Sequence, residues 1–357
     1  MKKVSSILPL VALAAAALAL FLADLAIGSV HIPLAGVIQS LENRSPDPVW
    51  KSIVLVFRLP KAITAALAGG ALAVSGLILQ TVFRNPLAGP DSLGIGAGAS
   101  IGVALVVLAA GSTGGAAFLA GLGSAGYSAL ALAASAGAFA VLFLILIVAR
   151  RVENSVTLLI IGLLIGYLAG SLVSLLVYSG SPQKVQVYLG WTYGSFSAVT
   201  ADQLPVLGGA IAIGYALTLG ATKPLNALLL GERFAETLGV RVKGARYRAL
   251  TAAAILAGAV TAFCGPVAFL GIAAPQAARR VFRSSDHAVL IPGAALVGAV
   301  LALAADIVSQ APGQGSVLPL NPILALVGAP IILSLFIRGS RAQGSRDRGS
   351  RAQGNVP

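Results

Sequence analysis

The chain has 357 residues, of which 57% are hydrophobic and 10% charged, with a formal net charge of +13 and a mean hydropathy of +0.94. An ordinary soluble domain carries about 25% charged residues, so a soluble globular fold is excluded and lipid is the expected solvent. In so apolar a chain the cations read as anchors of cytoplasmic loops rather than as a nucleic-acid surface, and a single cysteine, Cys264, excludes an intrachain disulfide.

A spanning helix needs roughly 20 mostly apolar residues, and charge-free stretches of that size recur between short basic connectors. The strand alternation of a transmembrane barrel is missing. The fold class is therefore all-α, a polytopic transmembrane bundle of about ten helices. The first span is placed at 5–28. Lys2 and Lys3 ahead of the apolar residues 7–22 also fit a cleaved signal peptide, but the spans that follow favour an uncleaved helix, and both readings put residues 28–51 outside. The remaining spans fall at 59–82, 94–111, 127–149, 156–178, 204–221, 248–264, 266–280, 288–310 and 322–338. Together they form one domain over 1–338.

Within the third span, Gly94, Gly98 and Gly102 recur every four residues, as Gly162, Gly166 and Gly170 do in the fifth. Each set lines one helix face and admits a neighbouring backbone. Ser171 and Ser174 follow the second set, so that face is also open to reading as a pathway. The run Gly98-Ala99-Ser100-Ile101-Gly102 has the form of a nucleophile elbow, but the chain's two histidines, His31 and His287, fall in predicted loops. An intramembrane hydrolase thus lacks its base. There is no phosphate-binding GxxxxGK[ST] loop and no metal-ligand spacing, so no cofactor is expected and any ATP must be bound by another chain.

Between the sixth and seventh spans, residues 231–239 (GERFAETLG) read as a short amphipathic helix with Phe234 and Leu238 on one face and Gly239 as its stop. It suits a lipid surface or a partner's groove. Next comes a stretch, residues 249–278, without a charge. One crossing there would put Arg279, Arg280 and Arg283 opposite the basic tail, whereas two short helices broken at Gly265-Pro266 put them on one side. Interrupted helices of that kind are tolerated in lipid where they are buried or line a cavity. With this break, nineteen of the 24 basic residues lie inside, as the positive-inside rule asks, and both termini are cytoplasmic.

Asp306 is the carboxylate deepest in an apolar run, where insertion costs about 2.5–3.5 kcal/mol at a helix centre. A partnered or functional role is expected; the plainer alternative is an outer-end position reaching interfacial water, as expected for Asp24. Residues 339–357 repeat a Gly-Ser-Arg unit and read as a disordered basic cytoplasmic tail. An offset of 189 residues pairs Gly76 with Gly265, Ala68 with Ala257 and Pro86 with Pro275. Because the first copy runs inward and the second outward, the pairing reads as an inverted internal repeat.

Three stretches resemble the FecCD permease family of type II ABC importers, which serve iron chelates, haem and cobalamin. They are residues 58–98, with RLPK, QTVFRNPLAGP and LGIGAG in order, residues 228–242, LLLGERFAETLGVRV, and residues 264–310, opening CGPVAFLGIAAPQAARR. Gln80, Asn85, Pro86, Gly265, Pro266, Pro275 and Asp306 belong to these motifs. The resemblance implies a homodimeric permease of the plasma or inner membrane, two cytoplasmic ATPase subunits and an external substrate-binding protein. It implies that Glu232, Arg233, Phe234, Ala235, Glu236, Leu238 and Gly239 couple to the ATPase. It further implies that the fifth helix lines the pathway through Gly162, Gly166, Gly170, Ser171 and Ser174, with an inner gate at Asn154 and Ser155. Arg58 and Lys61 stand where the family's external arginines receive acidic groups of the binding protein. Three positions depart from the family: Gln310 replaces a third socket charge, Gln276 the histidine of P-H-x-x-R, and Asn321 the glycine of L-P-x-G. The competing reading is an ion-coupled secondary transporter, which needs several intramembrane ionisable groups.

Overall fold

The computed structural model describes residues 4–44, 47–109, 124–152, 154–310, 317–330 and 333. The tail expected at 339–357 lies outside them. All regular structure among the described residues is helical. In chain order the helices are α1 (Val4–Ala26), α2 (Leu34–Leu41), α3 (Pro48–Val82), α4 (Ile95–Leu108), α5 (Ser124–Arg151), α6 (Ser155–Ser179), α7 (Pro182–Thr192), α8 (Leu204–Gly220), α9 (Thr222–Leu229), α10 (Glu232–Thr237), α11 (Val242–Cys264), α12 (Leu270–Phe282), α13 (His287–Ser309) and α14 (Leu320–Pro330).

Every predicted span overlaps one of these helices, the last of them over 322–330. Six, α1, α3, α5, α6, α11 and α13, are long and apolar enough to cross a membrane, and α8 with α9, bent by 57°, makes a seventh if counted as one. α4 and α14 are shorter, and α12 has 13 residues, about 20 Å at the usual rise.

The break expected at Gly265-Pro266 is present. α11 ends at Cys264, Gly265 (φ 74°) and Phe269 (φ 66°) adopt left-handed backbone, and α12 starts at Leu270. Two neighbours hold this non-helical stretch. The Ser195 amide donates to the Cys264 carbonyl at 2.8 Å, and Asn321 brackets the turn. Its Nδ2 donates to Pro266 O (2.8 Å) and Thr192 O (3.1 Å), while its Oδ1 accepts from the Ala268 amide (3.0 Å). The backbone groups freed by the break are thereby paired inside the protein, as lipid demands.

α3 forms the axis. It begins well before the predicted 59, because Pro48 occupies the first turn and the Asp47 side chain accepts from the Val49 amide at 2.8 Å, a favourable start. The helix continues through a π-helical stretch, Ile53–Arg58. Past that point α3 is almost wholly buried against α11, α12 and α13. Glycine permits this approach: a Cβ on Gly76 would stand 1.6 Å from the Gly271 carbonyl oxygen, and one on Gly69 2.3 Å from that of Gly298. Lipid tails are as apolar as leucine, so such backbone contact, rather than a hydrophobic drive, holds membrane helices together. α3 and α11, the helices that the 189-residue offset relates, lie side by side, and the Ser75 hydroxyl donates to Ala253 O at 2.7 Å. α4 meets α5 in the same manner, Gly98 against Gly137 and Gly102 against Ala133.

His287 corrects the sequence reading. It is not in a loop: it is the first residue of α13, wholly buried, with Nε2 2.8 Å from Thr81 Oγ1 and Nδ1 2.7 Å from Asn226 Oδ1. The cap before it explains the placement. Asp286 Oδ1 accepts from the Ala288 amide (3.0 Å) and from Asn226 Nδ2 (2.7 Å), and these bonds hold its carboxyl below the usual carboxylate range.

Gly76→Ala is expected to cost at least the ~1–3 kcal/mol of ordinary overpacking, because backbone rather than a side chain must yield. Gly170→Ala, with nothing within 4 Å of the added carbon, is expected to be neutral or stabilising. Thermal unfolding of the detergent-solubilised variants separates the two, and equal shifts would contradict the α3–α12 contact.

Candidate functional site

Three regions contain the residues singled out in the sequence. The first is the short arm α10. Gly231 enters it at φ 110°, and Gly239 (φ 78°) ends it, its amide bonded to Glu236 O (2.9 Å) and that of Val240 to Ala235 O (3.0 Å). This paired closure after a left-handed glycine is a Schellman motif. Ala235, fully buried, packs with Ala227, Leu228 and Val242 and fixes the arm to α9 and α11. The opposite face is open: Phe234 is 49% and Leu238 58% exposed, flanked by exposed Arg233 and Glu236. An apolar pair rimmed by charge thus stands exposed on a turn capped at both of its closing amides.

The second region is the turn into α6. The Asn154 side chain caps the helix, its Oδ1 accepting from the Val156 amide at 2.8 Å, and Ser155 is the first helical residue. Along α6 the five expected pathway residues divide. A Cβ on Gly162 would meet Ser92 O at 2.5 Å, and Gly166 lies against Gly94, so these two pack on the turn before α4. Gly170, Ser171 and Ser174 are exposed, with both hydroxyls donating to carbonyls of their own helix at 2.9 Å.

The third region lies at the end of α3 predicted to face outward, and there the structure overturns part of the reading. Arg58 and Lys61 are not an open basic pair: each is only 6% exposed. The early start of α3 puts both on a helix wall facing α1 and α13. Arg58 closes the end of α1, Nη1 donating to Leu25 O and Ala26 O at 2.9 Å and Nη2 to Val30 O. Lys61 Nζ lies 2.9 Å from Asp24 Oδ1 and 2.6 Å from Asp306 Oδ2. Asp24 does not reach interfacial water either; it is wholly buried, and its Oδ2 has no hydrogen-bond partner. Gln310 completes the group, its Nε2 donating to Asp24 Oδ1 (3.0 Å) and Asp306 Oδ2 (2.9 Å). Two carboxyl groups therefore share one cation and one amide, Gln310 reaching both carboxyls from the position where the resemblance implies a further charge. The cluster borders a cavity of about 260 Å³ lined by Ser195, Ser197, Ser309 and Gln310 among others. Sequence reasoning missed Asp24; the available clue was that Lys61 and Asp306, both in apolar runs, needed partners.

The motif residues serve as internal ties. Gln80 is buried, its Nε2 donating to Ile272 O at 3.4 Å. Gln276, at the family's histidine position, donates through Nε2 to Gln80 Oε1 (3.1 Å) and Pro86 O (2.9 Å). Asn85 Oδ1 accepts from the Leu87 amide at 2.9 Å, forming the turn that carries Pro86, and Pro275 lies inside α12. Gln276 thus does for this turn what Asn321 does for the break at Pro266.

Residues 16–338 match the FecCD transport family. Over 323 residues the chain is 35% identical to the hemin transport system permease protein HmuU of Yersinia pestis, covering 90% of this chain and 94% of that protein. Over 293 residues it is 32% identical to the vitamin B12 import system permease protein BtuC of Salmonella typhimurium, covering 82% and 84% respectively. A metal-chelate type ABC transporter solved in an inward-facing conformation superposes with a TM-score of 0.79 at 26% identity, over 92% of this chain and 98% of that one.

The cluster of Asp24, Lys61 and Asp306 makes a stability test. Lys61→Gln leaves two buried carboxylates facing each other and is expected to cost about 3–5 kcal/mol. Asp24→Asn keeps the Lys61–Asp306 pair and should cost much less. Thermal unfolding in detergent measures both, and equal losses would show that charge balance does not govern this site.

Proposed function

This chain belongs to the FecCD transport family, and we propose that it forms the membrane pathway of an ABC importer that brings an iron chelate, haem or cobalamin into the cytoplasm. The relatives named for hemin and vitamin B12 and the metal-chelate transporter support that substrate range. The ATP-hydrolysing sites lie on separate subunits, consistent with the chain's lack of a phosphate-binding loop. The permease acts as a homodimer in the cytoplasmic membrane with both termini inside, and the exposed apolar faces of α5 and α6, Phe139, Phe143, Leu164 and Leu168 among them, suit lipid or a second copy.

One observation carries the reading. α10 is built to be held from behind and touched from the front: Ala235 locks one face to α9 and α11, while Phe234 and Leu238 stand free. A nucleotide-driven movement of an ATPase against that pair is transmitted because the arm cannot yield on its own. Substrate arrives from an external binding protein at the opposite end, near the cavity beside Lys61. With Arg58 and Lys61 both engaged internally, charge recognition there falls to other side chains. The second reading, ion-coupled transport, draws on the Asp24–Lys61–Asp306 cluster as a coupling site. It predicts uptake that needs an ion gradient and no ATPase.

In proteoliposomes holding the permease and its ATPase subunits, uptake is expected to follow ATP and to survive an ionophore. Phe234→Asp and Leu238→Asp are each expected to weaken ATPase binding by at least about 30-fold, the weight of an interface anchor of about 2 kcal/mol. Full coupled transport by both variants would remove α10 from the coupling route.

A further inference from the structure

The first turns of α11 touch both the coupling arm and the turn ahead of α6. Arg246 is the point of contact: it is 4% exposed, its Nη2 pairs with Glu232 Oε1 on α10, and its Nη1 donates to Val152 O at 3.3 Å. Val152 follows the last residue of α5 and stands two positions before Asn154, the cap of α6. The next residue of α11, Tyr247, holds the same neighbour independently, since the Arg150 guanidinium lies 5.5 Å from the centre of its ring, within cation–π range. A guanidinium presents donors in a fixed planar fork, so Arg246 can face two partners on two elements at once. An ammonium cannot.

We propose that Arg246 is the positioning residue through which α10 moves the gate turn at Asn154 and Ser155. The inference rests on the permease reading and assigns the link between its two ends. When an ATPase shifts α10, Glu232 carries the guanidinium with it, and the bond to Val152 O passes the displacement to the end of α5 and the cap of α6. The guanidinium itself is buried, which limits competition from water for its donors, while the Glu232 side chain keeps an exposed edge.

The test uses the whole complex, permease with its ATPase subunits and binding protein in proteoliposomes, with haem, cobalamin and a ferric siderophore as probes. The readout is substrate taken up per ATP hydrolysed, measured for Arg246→Lys, Glu232→Gln and the double variant, beside thermal unfolding of each. Each single variant is expected to lower that ratio about tenfold, within the usual range for coupled sites, with little change in unfolding temperature. The double variant is expected to be no worse than Arg246→Lys, because both changes cut the same link. A wild-type ratio in either single variant overturns the inference, as do losses that multiply in the double variant. A fall that tracks lost thermal stability in both single variants overturns it too, by assigning the contacts to folding alone. If the wild-type complex shows no ATP-dependent uptake of any probe, the permease reading itself fails, and this inference with it.

Discussion

A polar backbone group at membrane depth must find its partner within the protein, and most of this molecule is arranged around that demand on α3. Gly69 and Gly76 admit the backbones of α13 and α12, and such close packing leaves no room for water to serve stray amides. Side-chain ties then secure both ends of the buried part of α3, Leu59–Val82. At one end Lys61 stands between Asp24 and Asp306. At the other, Thr81 meets His287 and Gln80 meets Gln276. The non-helical turn at Pro266 is allowed because Asn321 satisfies it from three directions.

Much of this architecture was legible in the sequence, because span length and charge position are cheap to read. The break at Gly265-Pro266 followed from where Arg279, Arg280 and Arg283 had to lie, and α10 followed from apolar spacing ahead of a glycine. What was not legible depended on partners far apart in the chain. Arg58 and Lys61 looked like an exposed pair because the extension of α3 back to Pro48 depends on a cap at Asp47 and on contacts with α1. Asp24 looked interfacial because nothing in residues 5–28 announces a lysine 37 positions later. His287 looked like a loop residue because its partners, Thr81 and Asn226, belong to other helices. The short helix α10 was found by its pattern, whereas its attachment through Arg246 needed the fold.

The three departures from the family pattern have one physical theme. Gln276, Gln310 and Asn321 are all primary amides, and each bridges segments that would otherwise be left with unpaired groups. An amide offers donors and an acceptor without a charge, so it can staple a turn or share two carboxylates inside an apolar surround at lower desolvation cost than an ion. The cluster around Lys61 also turns a surface feature into an internal one. Its cations secure α1 to α3 and α13.

The glycine face of α6 differs from that of α3 in one respect. α3 is riveted at both ends by bonds to other helices, whereas Ser171, Ser174 and Ser179 on α6 return their hydroxyls to their own backbone. Gly162 and Gly166 press their backbone on the turn before α4. The molecule thus sets α3, tied to α11, α12 and α13, beside a helix whose serine hydroxyls make no bond to another helix among the described residues. Under the proposed function, displacement of α6 would break few bonds, and work delivered at α10 would go into displacement rather than into tearing the frame.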